Sequence, residues 1–129
     1  MEEFRDPDGP IEEFSRGRFV ILNEIHSELG EGFGKDIRLV GMVVSEWEER
    51  KGHILEKRMI TGVFDQDIGV LIIGIGVDGM IEVPEETRQY IHDHGIGRLI
   101  LKKTPKACRK YNELHREGLN VALLAHGTC

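Results

Sequence analysis

Apolar and polar residues alternate over short distances in the first part of the chain and gather into longer blocks afterwards. Arg18-Phe19-Val20-Ile21-Leu22 is rich in strand formers, and Ile25-His26-Ser27-Glu28-Leu29 alternates apolar with polar positions. Gly30, Gly32 and Gly34 mark a turn. Asp36-Ile37-Arg38-Leu39-Val40 and Met42-Val43-Val44-Ser45-Glu46-Trp47 follow, separated by Gly41. Gly17 to about Trp47 is therefore predicted to form an antiparallel meander. Residues 1–15 hold Pro7, Gly9 and Pro10 among charges and are expected to form a flexible lead-in.

The pattern changes after Gly52. Leu55, Met59 and Val63 recur at the spacing of one helix face, although Gly62 weakens a helix there by up to about 1 kcal/mol relative to Ala. Val70-Leu71-Ile72-Ile73 is a continuous apolar run, as expected of a strand buried on both faces. Pro84 suits a helix start, Glu85 and Glu86 complement its positive end, and Gly95 suits its stop. Arg98-Leu99-Ile100-Leu101 reads as the next strand. Thr104 is a predicted N-cap with Pro105 at the first helical position, and Gly118 ends that helix. Val121-Ala122-Leu123-Leu124 is the last strand. Strand, helix, strand, helix, strand predicts a parallel βαβαβ half with right-handed crossovers. The fold class is α/β.

Composition narrows the class without naming a function. The chain of 129 residues fits one domain spanning 1–129, which needs neither disulfide nor metal to bury a core. Its net charge of −6 argues against nucleic acid as a general partner. Two cysteines, Cys108 and Cys129, suit a reducing compartment, and the acidic start carries no signal-peptide pattern. The longest apolar stretch, Val70 to Val77, is too short to cross a bilayer. A cytoplasmic protein with no membrane partner is expected.

Ligands of an open parallel sheet gather beyond the carboxyl ends of its strands. Three segments should emerge there: Gly74-Ile75-Gly76-Val77-Asp78-Gly79, Lys102-Lys103-Thr104 and His126-Gly127-Thr128-Cys129. The glycine turn and the final segment become neighbours if the last strand returns beside the first. The turn spells G-x-G-x-x-G, but its helix should begin at the glycines, and the nearest helix start is Pro84. Lys102 and Lys103 also stand where an acidic ribose ligand belongs. No dinucleotide and no other cofactor is expected. Gly74, Gly76 and Gly79 read as a tight turn, or as amide groups offered to a small anion.

His126 and Cys129, with His53 elsewhere, offer a nucleophile–base pair or metal ligands. No C-x-x-C accompanies them, so no metal site is expected. A terminal Cys is expected to be mobile, and a nearby α-carboxylate disfavours its thiolate. The plainer reading is a polar segment hydrogen-bonded against the sheet edge. His26, His92, His94 and His115 read as surface residues, and Cys108 as a small buried hydrophobe. Lys102, Lys103, Lys106, Arg109 and Lys110 form either a solvated helix face or a surface for an anion. Trp47 reads as a packing anchor between the two halves.

Three blocks together resemble one family. They are Ile72-Ile73-Gly74-Ile75-Gly76-Val77-Asp78-Gly79, Lys110-Tyr111-Asn112-Glu113-Leu114, and Asn120 to Cys129. The chain resembles the adipogenesis-associated domain family, which includes mitochondrial complex I assembly factor three and small archaeal and bacterial proteins. The resemblance covers roughly residues 14–129. It implies a three-layer fold around a mixed sheet with a small extra β layer, and no established reaction or cofactor. Two departures stand out. Gly127 replaces a bulky apolar residue, and only Gly52 and His53 match a Gly-Thr-Ser-His stretch. A polar site shared between that stretch and the final segment is therefore not expected intact.

Two functions fit these observations. One is a non-catalytic interaction or assembly module with a protein partner, because no complete catalytic constellation is visible. The other is a small-ligand or anion-binding protein, or a weak enzyme. It would use Gly74, Gly76, Gly79, Lys102, Lys103, His53 and His126.

Overall fold

The computed structural model describes residues 3–129. Four strands, β1 (Phe4–Arg5), β2 (Ile11–Ser15), β3 (Arg18–Ile21) and β4 (Glu24–Ser27), pair antiparallel in chain order as a small sheet. Five more form a mixed sheet in the order β6-β5-β9-β7-β8. They are β5 (Asp36–Val40), β6 (Val43–Glu46), β7 (Val70–Gly74), β8 (Arg98–Lys102) and β9 (Val121–His126). Helix α1 (Glu85–Asp93) connects β7 to β8, and α2 (Thr104–Arg116) connects β8 to β9. This is the α/β arrangement expected, with a parallel β7-β8-β9 half and an extra β layer.

Period-two patterning divides the core between the two faces of the mixed sheet. Val70 and Ile72 of β7, Val121, Leu123 and Ala125 of β9, and Ile37 and Leu39 of β5 face one cluster. Ala107, Cys108, Tyr111 and Leu114 of α2 join them, as do Phe14, Phe19 and Ile21 of the small sheet. Leu71, Ile73, Ala122 and Leu124 face the other way, onto Ile91 of α1 and onto Trp47, Leu55, Met59 and Val63. The apolar run of β7 is continuous because both of its faces are covered.

Four local expectations change. The meander is split: β5 and β6 belong to the mixed sheet, because Ile37 and Leu39 complete its face over α2. The lead-in is structured, because Phe4, Ile11 and Phe14 are buried in the first cluster; its residues 1 and 2 lie outside the described residues. Asn112 on α2 holds this segment from the helix side, accepting the Ile11 N–H at 3.1 Å and donating to the Ile11 carbonyl at 2.8 Å.

The third change concerns Leu55, Met59 and Val63, which reach the core without an α-helix. Only a 3₁₀ turn, Lys57–Met59, forms there. The connection from Trp47 to Ile68 is instead held by polar staples. Trp47 Nε1 donates to the Met59 carbonyl at 2.7 Å, and Arg38 reaches the Thr61 carbonyl at 2.9 Å and Glu49 at 3.0 Å.

Finally, His26 is buried rather than on the surface. Its ring stacks on Phe33, and Nδ1 accepts the Phe33 N–H at 2.9 Å. Its Nε2 is buried without a protein partner among the described residues. Burial lowers the pKa from 6.5, against a weaker upward pull from Glu24. The folded state therefore resists the proton that the unfolded chain accepts. Stability should fall as pH drops from neutrality through 6.5. A His26→Phe variant should show a flatter dependence of Tm on pH across that window in thermal melts.

Candidate functional site

The mixed sheet reverses its order at β7. The chain moves from β7 to β8 on one side, then crosses back through α2 to β9 on the other. Because β7, β8 and β9 are parallel, Gly74, Lys102 and His126 emerge at one end of the sheet. The antiparallel strand β5 starts at that same end, with Asp36 directly opposite His126. This is the switch-point position at which open α/β sheets place ligands.

The glycine turn and the final segment meet there, as expected from a returning strand. Val77 N–H donates to the Thr128 carbonyl at 2.6 Å, and Met80 N–H to the Cys129 backbone oxygen at 3.1 Å. Asp78 N–H points to that same oxygen at 3.3 Å. Gly76 takes φ +98°, and a Cβ on it would run into the Cys129 backbone. The segment is thus docked rather than mobile.

Thr104 ties the two strand ends together. It is the first residue of α2 rather than its N-cap, a place held by Lys103. Its buried hydroxyl accepts the Gly76 N–H at 3.0 Å and donates to the His126 carbonyl at 2.7 Å. The amides of the glycine turn are consequently committed to the protein. Ile75 donates to Lys102, Gly76 to Thr104, and Gly79 to Gly76, beside the three bonds to the final segment. The exposed N–H groups expected for a small anion are absent from residues 75–80.

Six side chains converge beyond this turn: Asp36, Arg50, His53, His126, Thr128 and Cys129. By strand parity His126 shares the face of Leu124, and Asp36 shares the face of Arg38. His126 Nδ1 lies 2.7 Å from Asp36 Oδ1, with the imidazole 2 % exposed. Arg50 Nε approaches the other carboxylate oxygen at 3.0 Å. Burial alone would raise the Asp36 pKa. The hydrogen bond from His126, with the charges of Arg50 and Lys35, outweighs it and holds the carboxyl below its ordinary value. His126 Nε2 is 3.4 Å from Cys129 Sγ and 3.2 Å from Thr128 Oγ1. On the other side of the thiol, His53 Nε2 stands at 3.3 Å. The thiol is half-buried and His53 is exposed, so the cluster opens to solvent.

Of the sequence candidates, the fold brings His53, His126 and the glycine turn to one place. The polar site shared between the Gly52-His53 stretch and the final segment is present in this geometry. Lys103 lies with its side chain over Gly79. Lys102 diverges: it lines a separate cavity of about 210 Å³ with Lys106, Arg109, Lys110 and Glu113. Asp36 is absent from the sequence candidates, since nothing local distinguishes a strand-initiating Asp. Its signal is the antiparallel pairing to His126. Gly127 also has a local reason, because a Cβ there would collide with the Lys35 carbonyl. Its own carbonyl accepts the Gly17 N–H at 2.6 Å, joining the small sheet to the site.

An imidazole with a carboxylate on one nitrogen and a thiol on the other has the parts of a proton-transfer relay. These features define a three-layer α/β domain with a polar site at the switch point of its mixed sheet. The chain belongs to the family of proteins of unknown function DUF498/DUF598, whose model matches residues 11–126.

Solved structures share the fold. A conserved hypothetical protein from Pyrococcus horikoshii OT3 matches with TM-score 0.77 and 21% identity, covering 92% of this chain and 98% of that one. A Bartonella henselae protein described as an outer membrane protein matches with TM-score 0.76 and 24% identity, covering 98% of each chain. XCC1710 from Xanthomonas campestris matches with TM-score 0.66 and 18% identity, over 91% of this chain and 83% of that one. Among the described residues of this chain, no helix is long and apolar enough to cross a membrane.

Two substitutions test the scaffold. Thr104→Val strands a buried N–H and a buried carbonyl, and should cost about 1–3 kcal/mol in denaturant unfolding. Gly76→Ala meets both positive φ and the docked segment. It should cost about 1–3 kcal/mol and speed amide hydrogen exchange at Val77 and Met80.

Proposed function

We propose that this chain is a small-ligand-binding domain that takes its ligand at the open end of the mixed sheet, over His53, Cys129 and His126. One observation carries the reading: a half-buried thiol lies within 3.3 Å and 3.4 Å of two imidazole nitrogens, at the switch point of the mixed sheet. A polar molecule with a carbonyl or carboxylate oxygen suits the site. The exposed His53 offers a donor, and Lys103 places a positive charge near the turn. The side chains, rather than the occupied amides of the glycine turn, are the recognition groups.

A titration followed by amide NMR shifts, using acetate, pyruvate and small amides as probes, tests this reading. Shifts should cluster at Asp36, His53, Val77–Met80 and His126–Cys129. His53→Ala should weaken binding by about tenfold, equivalent to ~1.4 kcal/mol. Shifts that avoid these residues, or binding indifferent to His53→Ala, would count against the site.

A second reading, a protein-interaction or assembly module, is favoured by a different observation. Leu29 is 87% exposed, and Ile25 and Phe33 are also exposed beside it in sequence. The resemblance to assembly factors supports the same reading by analogy. We place either function in the cytoplasm, where the free thiols Cys108 and Cys129 stay reduced. The net charge of −6 supports neither a nucleic-acid nor an anionic-membrane partner.

A further inference from the structure

We propose that Cys129 is a nucleophile that small activated acyl compounds, esters and thioesters, acylate, with His126 as its general base and Asp36 as a positioning residue. The proposal rests on the binding reading above and adds a covalent step to it. Three linked contacts supply the geometry. Asp36 holds His126 at Nδ1, His126 turns Nε2 towards Sγ at 3.4 Å, and His53 approaches Sγ from the other side at 3.3 Å. A carboxylate on Nδ1 keeps the proton there, which leaves the Nε2 lone pair for the thiol proton.

Thr128 Oγ1 competes for the same nitrogen at 3.2 Å. The thiol is the better nucleophile of the two. Sulfur is more polarisable than oxygen, and the thiolate rather than the thiol or a neutral hydroxyl is the strong nucleophile. Accessibility makes the assignment specific to one cysteine. Cys129 is half-buried at the solvent-facing end of the mixed sheet, whereas Cys108 is fully buried on α2, where desolvation pushes its thiol far up.

In the first step the Sγ proton passes to His126 Nε2 as Sγ attacks the acyl carbonyl carbon. A C–S bond to Cys129 forms, and the bond from that carbon to the leaving oxygen or sulfur breaks. The alcohol or thiol departs with the proton returned by His126. In the second step water attacks the acyl-cysteine and gives its proton to His126. The acyl C–S bond breaks, Sγ regains a proton, and the carboxylic acid is released. His53 stands exposed on the other side of Sγ from His126 and takes no proton in either step.

The test uses the full chain and p-nitrophenyl acetate, reading nitrophenolate release together with intact mass and peptide mapping. An acetyl group should appear on Cys129, be absent in Cys129→Ser, and persist in Cys108→Ser. His126→Asn should slow acetylation by about 100-fold or more, as loss of a general base does. Asp36→Asn should slow it and displace its pH profile, a change that structural loosening alone would not produce. If His126→Asn does not fold, the pH profile of Asp36→Asn and the mapped position of the label still decide the matter.

Acetylation spread over lysines, or at equal rates in the His126 and Asp36 variants, would overturn the proposal. A rate abolished by chelator and restored by zinc would overturn it in favour of a metal site. No adduct, with acetate and pyruvate still shifting the site residues, would sink the nucleophile and spare the binding reading. Loss of both signals would sink both.

Discussion

β9 is buried at all six of its residues and paired on both sides, antiparallel to β5 and parallel to β7. A strand so placed has no freedom of register, because a one-residue slip would exchange its two hydrophobic faces. Leu123 and Ala125 would turn away from α2, and Leu124 would leave the opposite cluster. The residue that follows the last apolar position inherits this precision. His126 faces Asp36 because the hydrophobic pairing upstream leaves it no alternative partner.

The second constraint is the Thr104 hydroxyl. It bridges the Gly76 amide just past β7 and the His126 carbonyl at the end of β9. Together with the backbone bonds to Thr128 and Cys129, it converts a trailing segment into part of the sheet end. The glycine turn therefore acts as a receptor for the protein's own chain. Its letters resemble a phosphate loop, but its amides have a different occupant.

The Asp36–His126 pair, with its ring buried and its carboxylate half-buried, is a poor choice for stability alone. Taking a carboxylate and an imidazole out of water carries a desolvation cost that their hydrogen bond must offset, and apolar residues of similar volume often fit as well. The carboxylate is supported by Arg50, Lys35 and the His126 ring, and Gly127 N–H lies 3.4 Å away. Such a group of supports is what an oriented imidazole requires. It keeps one nitrogen of His126 occupied and turns the other towards the half-buried Cys129, with the exposed His53 on the thiol's other side.

Much of the architecture was legible in the chain itself. Continuous apolar runs at β7 and β9, Pro84 and Pro105 at helix starts, and Gly95 and Gly118 at helix stops are local signals with local causes. They determined the α/β class, the parallel half and the end of the sheet at which polar segments emerge. Periodicity failed where side chains reached the core from irregular backbone, as at Leu55, Met59 and Val63. It also failed where tertiary pairing recruited a charged segment, as at Phe4, Ile11 and Phe14. The site lay further beyond reach. His53, Asp36, His126 and Cys129 come from a covering connection, a strand start, a strand end and a docked segment. Sequence determined which residues could carry chemistry; only strand order and register decided which of them touch, because those depend on packing between elements distant in the chain.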